Sequence, residues 1–152
     1  MISIERGLEV VASLAQTSIG PNFMPPEAVL LNDAIGRVLR EDICLDADSP
    51  PFDRSIRDGF ALRAEDIVKL PQQLRVIGES RAGDSFEGVV GRDECCEIMT
   101  GAAVPRGADS VVMVEYTEVG SDEGQVWIKR EVRPGQSIQK KGTEASAGYQ
   151  IL

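Results

Sequence analysis

Apolar residues change their spacing along this chain, and the changes mark its elements. From Ser3 to about Gln16 they recur at helical spacing, with Ile4, Leu8, Val11 and Ala15 on one face and Ser3 placed to cap the first turn. Gly20-Pro21 and Pro25-Pro26 break that pattern. Residues 28–31 read as a short apolar strand, and Asn32 to Ile35 as one helical turn closed by Gly36. Residues 38–45 read as extended, with Leu39, Ile43 and Leu45 on one face and Arg40, Asp42 and Cys44 on the other.

Beyond residue 58 the period stays close to two. Residues 60–62 begin a strand, and 64–68 read as a helical turn. Leu74, Val76 and Gly78 alternate with Arg75, Ile77 and Glu79, and Ala82-Gly83-Asp84 is a turn. Residues 96–99 are extended, and the chain then breaks at 100–103 and again at Pro105-Arg106-Gly107. The run SVVMV at 110–114 is almost wholly apolar and predicts a central buried strand. Residues 119–126 predict a hairpin around 120–124, with Trp127 facing away from Val126 and Ile128. Pro134-Gly135 predicts a type II turn, and 149–152 a final strand. The pattern therefore predicts one helix and about eight short strands, an α+β chain that is mostly β. A lone amphipathic helix and a lone C-terminal strand each need a partner face. A discontinuous domain built from 1–46 and 134–152 is therefore expected, with a β-rich domain, 47–133, inserted into it.

Composition narrows the class. The 15 Gly and 8 Pro among 152 residues, with few aromatics, suit short strands and many turns. The formal charge of -9 argues against a nucleic-acid partner, and no apolar run is long enough to span a membrane. With no His, acid/base chemistry by imidazole, a Ser-His-Asp triad and His-containing zinc sites are excluded. Cys44, Cys95 and Cys96 are an odd count with a vicinal pair. In a strand that pair faces opposite ways, so no metal site and no disulfide framework is expected, and a reducing cytoplasm is.

Three places carry more polar residues and glycine than folding needs. The first is SPPFDRSIRDGFALRAED at 49–66, a proline-braced loop presenting Asp53, Ser55 and Asp58 before Gly59. The second is IMTGA at 98–102, where Thr100 offers a hydroxyl and Gly101 leaves backbone N–H groups accessible to an anion. The third is QKKGTE at 139–144, with two lysines and Glu144 around a glycine. From residue types alone these suit phosphate handling, metal ligation, or merely solvated loops and turns.

The same three places carry a family resemblance. The first resembles the signature loop S-P-x-F-D-N-S-A-M-D-G-Y-A-V-R-x-x-D of the molybdopterin molybdenumtransferases, the MoeA and gephyrin E-domain family. CEIMTGAAVPRGADSVVMVE at 96–115 is similar to that family's R-I-M-T-G-A-x-[LV]-P-x-G-A-D-[AT]-V-V-x-x-E. The linking GESRAG at 78–83 also fits, and LNDAIGRVLREDI at 31–43 is similar to the segment upstream. Residues 132–152 resemble its V-x-x-G-x-N-[IV]-R-x-x-G-E-D-x-x-x-G-x-x-[IL]-L. The motifs fall in the family's order along nearly the whole chain, but they correspond only to its first two domains. Members continue into a third domain that binds the molybdopterin dithiolene, and a fourth.

The resemblance implies a β-rich N-terminal region of an enzyme that inserts molybdate into adenylylated molybdopterin, with Mg²⁺. It also implies a homodimer whose active site is shared between the second domain of one subunit and the molybdopterin-binding third domain of the other. Asp58 and Thr100 map onto residues at that cleft, with Asp53, Ser55, Gly101 and Glu144 as substrate-side candidates. Asp58 would orient Mg²⁺ or water, and Thr100 would hydrogen-bond an oxyanion or phosphate. This chain alone is expected to bind no cofactor and to be inactive. The alternative is a stand-alone, non-catalytic dimerisation or docking module of the same pathway. Four departures stand out: Arg54 replaces Asn, Ile56-Arg57 replaces Ala-Met, Ser137 replaces Asn, and Glu144 replaces Asp. Two arginines beside Asp58 are expected to lower its pKa.

Overall fold

The computed structural model describes residues 3–18, 26–120 and 123–152. It divides into two compact units, Met1–Asp42 and Ile43–Leu152. In the first, helix α1 (Ile4–Ser18) starts where expected, and Ser3 Oγ accepts the Arg6 amide at 3.3 Å. Its apolar stripe is exposed, with Ile4, Leu8 and Val11 each more than half accessible. The strand expected at 28–31 does not form. Leu31–Asp33 is instead a 3-10 turn, its bonds local, and no strand among the described residues pairs with 28–30. The breakers at Gly20-Pro21 and Pro25, and part of the 120–124 loop, lie outside the described residues.

The second unit holds strands β1 (Arg54–Ser55), β2 (Gly59–Leu62), β3 (Gln72–Ser80), β4 (Glu94–Ile98), β5 (Ser110–Met113), β6 (Thr117–Val119), β7 (Gln125–Ile128) and β8 (Ile138–Gln139). Six form one sheet in the order β5-β2-β4-β3-β7-β6, and β1 pairs with β8. All pairings are antiparallel except β3 with β4. The chain is thus mostly β, as its period-two pattern predicts.

Alternation along the strands loads both faces of the large sheet. Leu62, Leu74, Cys95, Val112, Val126 and Ile128 cluster as one buried core; Ala61, Ile98, Ala102 and Val111 form a second. Cys95 and Cys96 face opposite ways, as expected, and both are fully buried. Burial pushes their thiols up to about 12 and about 11, so both are held as inert thiols.

A second expectation is corrected. Of SVVMV, Ser110–Met113 forms strand β5, buried on both faces at Ser110, Val111 and Val112, while Val114 is exposed; β5 is an edge strand, not a central one. Its outer side is covered by the turn at Pro134-Gly135: the Val111 amide donates to Gln136 O at 3.0 Å, and Gly135 N–H to Asp109 O at 2.7 Å. A covered edge needs the same apolar side chains as an interior strand, so composition alone does not separate the two. The final strand is reduced to a ladder of single bonds. Ile151 N–H donates to Ile43 O at 2.8 Å, and Leu45 N–H to Tyr149 O at 2.9 Å. Residues 145–152 therefore pack with 43–49 inside the second unit. No helix among the described residues is long and apolar enough to cross a membrane.

Candidate functional site

The antiparallel register of β2 and β4 creates the site. Gly59 pairs with Ile98, so the residue entering β2 meets the residues leaving β4. Asp58 precedes the one and Thr100 follows the other. The Thr100 amide donates to Asp58 Oδ1 at 2.6 Å and the Thr100 hydroxyl donates to the same oxygen at 2.7 Å. Gly59 is required for the approach: a Cβ there would lie 1.9 Å from the carbonyl oxygen of Val112 on β5. Gly101 has φ +85 and turns the chain back after Thr100.

β1 sits between the other two motifs. Ser55 N–H donates to Ala102 O at 3.0 Å, Gly101 N–H to Ser55 O at 2.8 Å and Val104 N–H to Asp53 O at 2.9 Å. On the other side Arg54 pairs with Gln139, and Ile56 N–H donates to Ser137 O at 3.0 Å. Three segments distant in sequence are thereby sewn together around residues 53–58.

Hydrogen bonding then separates the candidate acids. Asp53 accepts from Lys140 Nζ at 2.7 Å on one oxygen and from the Lys141 amide at 2.9 Å on the other. Glu144 accepts Arg54 Nη2 at 2.8 Å and Gln139 Nε2 at 3.0 Å on Oε1, and the Ser49 hydroxyl at 2.7 Å on Oε2. Of the six carboxylate oxygens on Asp53, Asp58 and Glu144, only Asp58 Oδ2 accepts no bond from the described residues. Asp58 is also exposed. Ser55 is buried; its hydroxyl donates to Arg57 O at 2.5 Å and accepts the Arg57 amide at 3.2 Å, fixing the backbone next to Asp58.

All three acids titrate below the ordinary carboxylate range, each for its own reason. Thr100's hydroxyl and amide lower Asp58, Lys140 and the Lys141 amide lower Asp53, and the Ser49 hydroxyl, Gln139 and Arg54 lower Glu144. The expected influence of two arginines on Asp58 is not what the structure shows. Arg54 is drawn away to Glu144 and Gln139, and the two bonds from Thr100, not an arginine, lower Asp58. Arg57 is exposed, and its guanidinium has no partner among the described residues. The partners of Arg54 lie 85 to 90 residues away in sequence, so this partition is not visible in residues 53–58 alone.

An ionised carboxylate has no proton to give, so Thr100 is the donor in both of its bonds to Asp58. Its hydroxyl proton is already committed, and the lone pairs that remain can only accept. Among the described residues no three His, Cys, Asp or Glu gather as a metal cage. A single open carboxylate oxygen does suit Mg²⁺, which keeps several waters and takes much of its shell from substrate phosphates. Two surface cavities of about 420 and 520 Å³, at Arg63–Asp93 and Leu70–Gln136, lie elsewhere; neither is lined by Asp58 or Thr100.

The chain is similar to several known proteins. The chain is 40% identical over 132 residues to the molybdopterin molybdenumtransferase of Bacillus subtilis, covering 83% of this chain and 31% of that protein. It is 34% identical over 141 residues to gephyrin of Dictyostelium discoideum, covering 83% of this chain and 19% of that protein. The crystal structure of the molybdopterin biosynthesis MoeA protein from Pyrococcus horikoshii matches at a TM-score of 0.73 and 37% identity, over 83% of this chain and 34% of that one. The chain thus spans about a third or less of the length of these relatives. The model of the MoeA N-terminal region, domains I and II, matches residues 2–152, and the chain belongs to that family of molybdenum-cofactor biosynthesis proteins.

Proposed function

We propose that this chain supplies one wall of a site that inserts molybdate into adenylylated molybdopterin. The molybdopterin-binding domain of a family partner, in a homodimeric arrangement, would supply the other wall. The observation that carries the reading is the Asp58–Thr100 pair, held on an open surface where the three motifs converge. Thr100 fixes Asp58 in one orientation with Oδ2 outward. A carboxylate held below its ordinary pKa is a poor base near pH 7, so Asp58 serves to orient a water or a cation rather than to take a proton. Asp58 Oδ2 would be the protein's ligand to Mg²⁺, which when bound would offset the negative charge of a substrate phosphate. Gly101 leaves room beside the pair, and the Arg57 guanidinium, without a partner among the described residues, adds a cation for an anionic substrate. Asp53, Ser55 and Glu144 would serve the site by holding its loop. The protein would work in the cytoplasm.

The test mixes the chain with a molybdopterin-binding domain from a family relative and measures molybdenum insertion. Asp58→Asn should abolish insertion, Thr100→Ala should lower it strongly, and Thr100→Ser should largely preserve it. If Asp58→Asn and Thr100→Ala leave the rate unchanged, the reading fails. A second reading, a non-catalytic docking module, draws on the exposed apolar stripe of α1. Concentration-dependent dimerisation lost in Leu8→Glu, with no insertion activity in any mixture, would favour it.

A further inference from the structure

Two of the departures from the family pattern touch each other. Arg54 stands where the pattern has Asn and Glu144 where it has Asp, and Arg54 Nη2 donates to Glu144 Oε1 at 2.8 Å across 90 residues of sequence. Gln139, itself where the pattern has Arg, closes the figure. Its carbonyl accepts Arg54 Nε at 2.9 Å, and its Nε2 donates to the same Glu144 oxygen at 3.0 Å. Ser49 Oγ fills Oε2 at 2.7 Å. The longer basic residue meets the longer acid, and each satisfies the other.

We propose that Arg54 and Glu144 are a matched positioning pair. Together they clamp the loop that carries Asp58 to the segment 137–144. The inference rests on the reading of Asp58 as the working acid. Arg54 lies in β1, and Ser55, next along, pins the Arg57 backbone beside Asp58. The clamp also keeps in place what the loop needs from 137–144: Ser137 O for the Ile56 amide, and Lys140 with the Lys141 amide for Asp53. Glu144, with both oxygens filled, holds this geometry and leaves the substrate to Asp58. Arg54 must act as a fork, because Nε and Nη2 reach two different acceptors; a lysine ammonium has no such fork.

The experiment is a charge-swap cycle in the full chain: Arg54→Glu, Glu144→Arg, and both together. One readout needs no activity. It is hydrogen exchange at the Gly142 and Glu144 amides, which donate to Pro50 O and Ser49 O, both at 2.9 Å. With side chains 35% and 47% exposed, the pair should couple modestly. Each single variant should lose protection by about threefold to fivefold, and the swap should regain most of it. In the reconstituted insertion assay the singles should lower kcat by about tenfold with KM unchanged, and the swap should recover it. Additive losses in the swap overturn the pairing. Coupled protection with kcat unmoved, while Asp58→Asn abolishes insertion, overturns the positioning role. Coupled protection with Asp58→Asn also silent refutes the reading of Asp58 and leaves the clamp standing. Should Arg54→Glu fail to fold, Arg54→Lys carries the test; wild-type protection and kcat in that variant overturn the proposal.

Discussion

Replacing Gly59 by alanine should both destabilise the chain and dismantle the site. The added Cβ would lie 1.9 Å from Val112 O, 2.9 Å from Val112 C and 3.0 Å from Met113 Cα, all backbone atoms that cannot rotate away. An ordinary C···O contact is about 3.3 Å, so β2 and β5 must part by about 1.4 Å. That opening takes the Gly59–Met113 pairing with it, and the Val114 amide that donates to Asp58 O at 3.1 Å. Overpacking costs about 1–3 kcal/mol, and a lost backbone bond about 1 kcal/mol more. A total near 3 kcal/mol should lower Tm by roughly 10 °C in a unit of this size. Gly101→Ala is the control. It has φ +85 with nothing within 4 Å, so it meets the left-handed penalty of about 1–2 kcal/mol without a clash. Calorimetry on the two variants decides the matter, with exchange at the Thr100 and Val114 amides as the local readout. A Gly59→Ala chain as stable as Gly101→Ala, with both amides still protected, would refute the close-approach argument.

Acid should loosen the 140–147 segment before the sheet. Asp48 is lowered chiefly by the Ala147 amide and Asp53 by Lys140 and the Lys141 amide, so both hold more protons when released. Their stabilisation is present above about pH 4 and is lost as pH falls through the depressed folded values. Exchange at the Lys141 and Ala147 amides should rise in that window while β2 and β4 stay protected; simultaneous loss would count against it. Thiol labelling offers a second check. Cys44 is exposed while Cys95 and Cys96 are buried with raised pKa, so iodoacetamide at pH 8 should add one label to the native chain and three after denaturation. More than one native label would show that the β4 core opens readily.

Local chemistry written in the chain sets much of what the structure contains. The Ser3 cap, the period-two strands, the opposed faces of Cys95 and Cys96, and the Pro134-Gly135 turn each depend on residues near one another, so each is legible in order. Gln136 N–H donates to Arg133 O at 3.0 Å, closing that turn as expected. The three polar places were legible too, as glycine and charge in excess of folding needs.

Roles within them were not. Whether SVVMV is central or an edge depends on what the 134–136 turn covers. Whether Asp53, Asp58 or Glu144 is free depends on donors from Lys140, Thr100 and Arg54. Ser55 looked like a binding hydroxyl and is a buried loop brace. Hydrogen-bond partners across 40 to 90 residues are chosen by sheet register, and register is a property of paired strands, not of either strand alone. The period-two strands of the sheet, most turns and the family are legible in the order of residues alone. Strand register, not local sequence, sets which of the three nearby acids, Asp58, keeps an oxygen without a donor among the described residues.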